Sequence, residues 1–315
     1  MLRINGLQKS YRGFSVLKGL NMSLDRGDIY GFLGTNGCGK TTTMNIICNI
    51  IPKDSGEVRF EPGSMSGDEN TGGSMILGYL PESPALYGYM NGYEYLDFIG
   101  ACCNYTGNIK ARTAEVLEIT GMTDSAGRLI KGYSRGMNQR IGIAAALYAK
   151  PDLLILDEPT SALDPEGRAE VMNIITKLRD TGATIILCTH ILSDVERIAN
   201  KVGIMRNGVI AVEGNIKDVT ERLGGKSVIS VQLREYDTES VTSVCSFDLL
   251  DKSEIYKTEG IMLHPKEGLS EAEFFFKVTQ YLAEKNIVPE SVAFRRMTLE
   301  QIYIGVTNGS LGGAV

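Results

Sequence analysis

Histidine is almost missing from this 315-residue sequence: only His190 and His264 are present. That leaves no ligand set for a histidine-based metal site. The six cysteines, Cys38, Cys48, Cys102, Cys103, Cys188 and Cys245, match no zinc spacing, and a chain of this length needs no disulfide staples. They read as reduced thiols of a cytosolic protein. Long apolar runs are also missing. The longest candidate, Ile141 to Ala149, has nine residues and contains a glycine, against the roughly 18 needed to span a bilayer. The opening segment, MLRINGLQKSYRG, has no apolar stretch of the signal-peptide kind. Blocks of basic residues are lacking too. With a formal net charge of −6 and a pI near 5.2, the chain is not expected to coat nucleic acid.

What is present suits a layered α/β protein. A hydrophobic content of 43% is enough for one large core and a second, smaller one. Residues 2–7 and 14–24 read as strands, Ile29 to Leu33 as a short buried strand, and Lys40 to Ile50 as a helix. Residues 61–74, polar and glycine-rich, read as a loop. From about Tyr93 to Ala149 the helical period dominates. Residues 153–156 and 184–188 are two further buried strands. A helix from Pro165 to Asp180 lies between them, so βαβ connections and a largely parallel sheet are expected. After Gly214 the texture changes to strands at Val228–Arg234, Ile255–Leu263 and Ser291–Phe294, with a helix over Ser270–Glu284. The spacing therefore predicts two domains, 1–215 and 216–315, with the boundary near 216–224.

Residues 34–42 read GTNGCGKTT and fit G-x-x-x-x-G-K-[ST], with Gly34, Gly39, Lys40 and Thr41 at the fixed positions. Glycines let the backbone wrap so that successive N–H groups face a phosphate, and the helix that follows adds positive potential at its N-terminus. Lys40 is expected to reach β- and γ-phosphates and Thr41 to ligate Mg²⁺. Cys38, beside Lys40 and the start of that helix, is expected to have a depressed thiol pKa. The run LLILDE, residues 153–158, is a buried strand ending in an acidic pair. Asp157 would hold Mg²⁺ and Glu158 would orient an attacking water. His190, at the end of TIILCTH, could donate a hydrogen bond to a γ-phosphate from the carboxyl end of its strand.

Residues 133–140, YSRGMNQR, followed by GIAAALYAKPDLLILDEPTSALDP, resemble the signature helix, Walker B strand and D-loop of ABC ATPases. The order of motifs from glycine loop to histidine is also theirs. The form of the signature, the segment GYLPE and the ending RRMTLEQIYIGVT resemble the ATPases of bacterial type-2 ABC exporters. The resemblance spans residues 1–214. It implies a P-loop fold with a mixed sheet, an antiparallel β subdomain, a helical subdomain and a small C-terminal α+β domain. It implies ATP hydrolysis with ATP and Mg²⁺ bound at Gly34, Thr35, Asn36, Gly37, Cys38, Gly39, Lys40, Thr41 and Thr42. It places Tyr11 against adenine and Glu82 at the position of the usual glutamine, near Mg²⁺ or water. Ser134, Gly136 and Met137 match the signature that closes on a nucleotide held by a second protomer. Ser161 to Asp164 match the D-loop. Arg135 departs from the usual glycine and either adds a positive charge facing ATP or, the favoured reading, points to solvent. The implied partners are a second ATPase subunit, identical or paired, and a separate transmembrane permease. The implied location is the inner face of the cell membrane. The aromatic segment Leu86 to Tyr95 lies where such subunits meet the permease, or packs as ordinary core. A soluble ABC ATPase acting on a ribosome or DNA is the alternative; one ATPase module and no sustained heptads argue against it.

Overall fold

Arg12 and Gly13 both take positive φ, 48° and 86°, the backbone that lets a two-residue turn follow the natural strand twist. That turn joins β1 (Leu2–Tyr11) to β2 (Phe14–Leu24), with Tyr11 opposite Phe14. The computed structural model describes residues 1–61, 75–223, 228–234, 237–256, 260–266, 268–295 and 298–309. The expected polar loop at 61–74 falls, from 62 onward, outside the described residues.

The strand β3 (Ile29–Gly34) is buried along its whole length and leads through the glycine-rich turn into α1 (Lys40–Ile47). The helix expected to run to Ile50 stops at Ile47. Asn49 adopts a left-handed φ of 56°, and the Ile50 N–H returns to the Asn45 carbonyl at 2.8 Å, a helix ending of the kind asparagine favours. The strand β4 (Ser55–Phe60) pairs antiparallel with β1, giving a three-stranded sheet in the order β2-β1-β4. After β5 (Leu77–Leu80) come α2 (Gly92–Cys102), α3 (Ile109–Ile119) and α4 (Arg135–Leu147). Their first turns are capped by the side chains of Asn91, Asn108 and Ser134, each accepting a backbone N–H that would otherwise have no partner.

The rest of this unit is β6 (Leu153–Asp157), α5 (Pro165–Asp180), β7 (Ile185–Thr189), α6 (Leu192–Ile198), β8 (Lys201–Arg206) and β9 (Val209–Asn215). A six-stranded sheet runs β5-β6-β7-β3-β8-β9. Its pairs are parallel except β8 with β9. Strands β3, β6 and β7 are buried throughout, which explains their continuous apolar runs. The order has one consequence for chemistry: the carboxyl ends of β6, β7 and β3 lie side by side. Whatever follows them in sequence meets in space.

The chain folds as two compact units, Met1–Ile216 with residues 306–309, and Lys217–Gly305. The second carries α7 (Ile216–Leu223), β10 (Val228–Leu233), α8 (Thr238–Cys245), β11 (Leu250–Tyr256), β12 (Gly260–Pro265), α9 (Glu271–Glu284), β13 (Pro289–Arg295) and most of α10 (Leu299–Asn308). Its antiparallel sheet, β11-β12-β10-β13, buries Ile229, Val231, Ile261 and Leu263 with Phe274 and Val278 of α9. The single strand expected over Ile255–Leu263 is instead a reversal, in which Tyr256 pairs with Gly260 and Gly260 takes a φ of 90°. The α9 helix begins as expected, with a reciprocal Ser270–Glu273 cap.

The end of α10 belongs to the first unit. Val306 is fully buried, and Thr307 lines a cavity of about 270 Å³ with Thr35, Cys38 and Arg206. A Cβ on Gly309 would lie 2.7 Å from the Arg206 guanidinium, so that cation sits at the helix's negative end.

Candidate active site

The glycine loop bends by means only glycine supplies without strain. Gly37 and Gly39 have φ of 78° and 112°, a region that disfavours side chains. Gly39 is the N-cap of α1, whose first turn has no side-chain cap. Its leading N–H groups are therefore left to an external acceptor, and an anion is the natural one. They open on a cleft of about 450 Å³ lined by Tyr11, Val16, Asn36, Gly37, Gly39, Lys40, Thr41, Thr42, Glu82, Asp157, Glu158, Ser161 and His190.

The charged groups of the cleft come from four adjacent strand ends: Glu82 after β5, Asp157 and Glu158 at β6, His190 after β7 and Lys40 after β3. Lys40 is buried; its ammonium donates to the carbonyls of Gly34 at 2.8 Å and Thr35 at 3.4 Å. It lies 3.8 Å from Glu158 Oε1. Glu158 is 6% exposed and sits in a left-handed conformation, φ 50°, where a non-glycine residue is uncommon. Its carboxylate is held from several sides. His190 Nδ1 is 3.0 and 2.9 Å from its two oxygens, and the Thr189 hydroxyl donates to Oε2 at 3.3 Å. An ionised carboxylate only accepts, so Nδ1 carries the proton. A neutral ring then has a bare acceptor at Nε2. His190 can donate to a phosphate only if the ring is doubly protonated or lets go of Glu158.

Asp157 is different. It is 1% exposed, and neither carboxylate oxygen has a hydrogen-bond partner. Burial raises its pKa. The side chains of Thr41 and Cys188 nearby lower it, and the charges of Glu158 and Glu82 raise it further; these contacts are too loose to satisfy the oxygens. An orphaned buried carboxylate facing a threonine hydroxyl fits a hard cation with oxygen ligands. Among the described residues no group of three or more His, Cys, Asp or Glu is placed to hold a metal alone. A cation here would draw its remaining ligands from a phosphate and water.

Cys38 overturns an expectation. Its thiol pKa is raised rather than depressed, because burial outweighs the lowering effect of Lys40. The thiol packs beneath the loop, where a Cβ on Gly34 would lie 2.6 Å from Sγ, and it lines the second cavity with Thr35 instead of the cleft. Gly34 supplies a buried carbonyl to Lys40 and lies outside the cleft lining as well. Tyr11 is 46% exposed on the cleft wall, and the Lys9 ammonium lies 5.4 Å from its ring centre.

Ser134, Gly136, Met137 and Asp164 do not line this cleft. Ser134 caps α4 by accepting from Met137 N at 3.2 Å, and Asp164 caps α5 by accepting from Gly167 N at 3.1 Å. A Cβ on Gly136 would approach Gly167 Cα to 3.6 Å, so Gly136 sits where the two helices meet closely. Arg135 is exposed at the start of α4. Sequence reasoning misses Thr189 and Gln139. Gln139, on α4, donates from Nε2 to the Glu82 carbonyl at 3.2 Å, tying the signature helix to the loop that carries Glu82. Only the spatial neighbourhood reveals that bond.

Residues 17–161 match the family described as ABC transporter. Over 315 residues, 99% of this chain and 99% of the relative, the sequence is 33% identical to the linearmycin resistance ATP-binding protein LnrL of Bacillus subtilis strain 168. The chain belongs to the ABC transporter ATP-binding family. It is an ATP-binding ABC ATPase subunit of transporters. A second relative, the daunorubicin resistance ATP-binding protein DrrA3 of Streptomyces coeruleorubidus, is 29% identical over 307 residues, 97% of this chain and 95% of its own length. A solved ATP-binding subunit of an ABC transporter superposes with a TM-score of 0.60 at 26% identity, over 70% of this chain and 92% of that one. The fold is accordingly the P-loop ABC ATPase fold expected from the motifs. Among the described residues no helix is long and apolar enough to cross a membrane.

Proposed function

We propose that this ATPase subunit drives export through a separate membrane permease, with each ATP hydrolysed between two ATPase subunits. The observation that carries the reading is the pairing of a complete acid, base and cation set at one cleft with a signature sequence that lies elsewhere on the same chain. Lys40 and the loop amides of residues 36–42 hold the phosphates. Tyr11 stacks on the base. Asp157 and Thr41 hold Mg²⁺, with Glu82 beside them; the ion supplies charge neutralisation on the phosphate oxygens. Glu158 orients water, steadied by Thr189 and His190, and His190 passes its hydrogen bond to the γ-phosphate when it binds. Ser134, Gly136, Met137 and Asp164 serve the partner subunit's nucleotide. The two resistance relatives support export as the direction. The exposed aromatic cluster of Tyr87, Tyr89 and Phe98, with ring centres 5.8 and 5.6 Å from Tyr87, is the face offered to the permease at the inner side of the membrane. Residues 217–305 form an accessory domain, shorter at both ends than the expected 216–315.

Glu158→Gln tests the central role. The variant keeps ATP affinity, loses nearly all turnover and elutes as a long-lived dimer in Mg-ATP. An active variant that remains monomeric in Mg-ATP refutes the assignment.

A further inference from the structure

The cleft is bordered by a polar clamp that none of the motifs names. Asp194, on α6, is 4% exposed, and both its oxygens are used. Oδ2 accepts from the Thr160 hydroxyl at 2.7 Å. Oδ1 accepts from Arg168 of α5, from Nε at 3.1 Å and Nη2 at 2.7 Å. Arg168 also donates to the Ser193 hydroxyl at 2.8 Å. Thr160 itself is 2% exposed. Charge-assisted bonds of this sort are strong, and a buried aspartate without them would be costly. The sequence places a buried charge at a point away from the cleft lining, and that choice calls for a physical reason.

The reason lies in what the clamp joins. The turn beginning at Glu158 closes with the Ser161 N–H on the Glu158 carbonyl at 3.1 Å, and the Leu163 N–H reaches the Thr160 carbonyl at 3.4 Å. Thr189 donates to Glu158 Oε2 at 3.3 Å and accepts from the Ile191 N–H at 3.0 Å. Residues 189–194 therefore grip the turn twice: through Thr189 and His190 at Glu158, and through Asp194 at Thr160. Helix α6 begins two residues after His190. A shift of His190 that carries the start of α6 is thereby passed to Thr160 and the segment 161–164.

We propose that Asp194 is a positioning residue that locks the 161–164 loop to the segment carrying His190, so that engagement of His190 by the γ-phosphate sets that loop for the neighbouring subunit. This rests on the ATPase reading above, and its structural half can be tested without turnover. In the full chain without nucleotide, Thr160→Val raises amide exchange at Ser161 and Leu163 about tenfold or more, the scale of one lost charge-assisted hydrogen bond. Thr160→Ser restores slow exchange, and the Thr43 amide of α1 is unaffected in both. In steady-state ATPase assays, Thr160→Val lowers kcat about tenfold with KM changed less than about twofold, and Thr160→Ser recovers kcat. Asp194→Ala behaves like Thr160→Val, and the double variant is no slower than the worse single one. If Asp194→Ala does not fold, the Thr160 pair decides. Wild-type exchange at Ser161 and Leu163 in Thr160→Val overturns the proposal. So does an effect confined to KM, or a loss that Thr160→Ser shares. A wild-type chain that fails to hydrolyse ATP refutes the proposed function and leaves the exchange result to judge the clamp.

Discussion

Replacing Asp157 with asparagine is expected to make the nucleotide-free protein more stable while destroying its activity. The carboxylate is 1% exposed with both oxygens unpartnered, and burial, then the charges of Glu158 and Glu82, push its pKa above the ordinary 3.8. Folding therefore buries a negative charge whose oxygens have no hydrogen-bond partner. The asparagine side chain would keep the shape and drop the charge. Because the residue borders an open cleft, water is close, and the gain is about 1–3 kcal/mol rather than the larger cost of a sealed ion. For a unit of this size that is a rise in Tm of roughly 3–9 °C. The pH dependence fixes the sign. A raised carboxylate pKa means that the folded state binds more protons than the unfolded state between the two pKa values. Stability lost to Asp157 is thus absent below the ordinary value and complete above the raised one. The difference between variant and wild type should vanish at acid pH and grow as pH rises through that window. The lowered carboxyls of Asp25 and Asp54 titrate alike in both proteins and cancel. Scanning calorimetry across pH, with and without Mg-ATP, measures all of this. Mg-ATP should raise the Tm of the wild type more than that of the variant. An Asp157→Asn protein less stable than wild type at neutral pH would refute the reasoning.

Three further outcomes follow from particular contacts. Peptide mapping after brief iodoacetamide treatment at neutral pH should find the exposed Cys102 and Cys103 labelled well before Cys38, whose thiol pKa is raised by burial; labelling of Cys38 should accelerate as pH is raised. Gly78→Ala should cost at least about 2 kcal/mol by overpacking, because its Cβ would sit 2.3 Å from the Ala146 carbonyl oxygen; a thermal melt checks it. Tyr87→Ala with Tyr89→Ala should leave basal ATPase activity intact and abolish co-purification with the membrane subunit.

The site is legible in sequence where its geometry is local. The glycine loop needs only a strand before it and a helix after it. Asp157, Glu158 and His190 can be placed because buried parallel strands present their carboxyl ends together. The Asp194 clamp is not legible: it joins positions 34 and 26 residues apart, and only the order of β6 beside β7 brings them together. Cys38 misleads because sequence shows its neighbours along the chain, Lys40 and the helix start, but not the packing beneath the loop that sets its solvation. The β11–β12 reversal reads as one strand because both arms favour extended backbone, and propensity does not register direction.

The return of the last helix to the first unit bears on how the catalytic part can be isolated. A protein truncated after Ile216 would have the motifs and lack Val306, which is fully buried. It would also open the wall that Thr307 forms beside Thr35 and Cys38. The ATPase is in this sense assembled from both ends of the polypeptide, and a gene cut at the apparent border would yield an enzyme with one side unfinished.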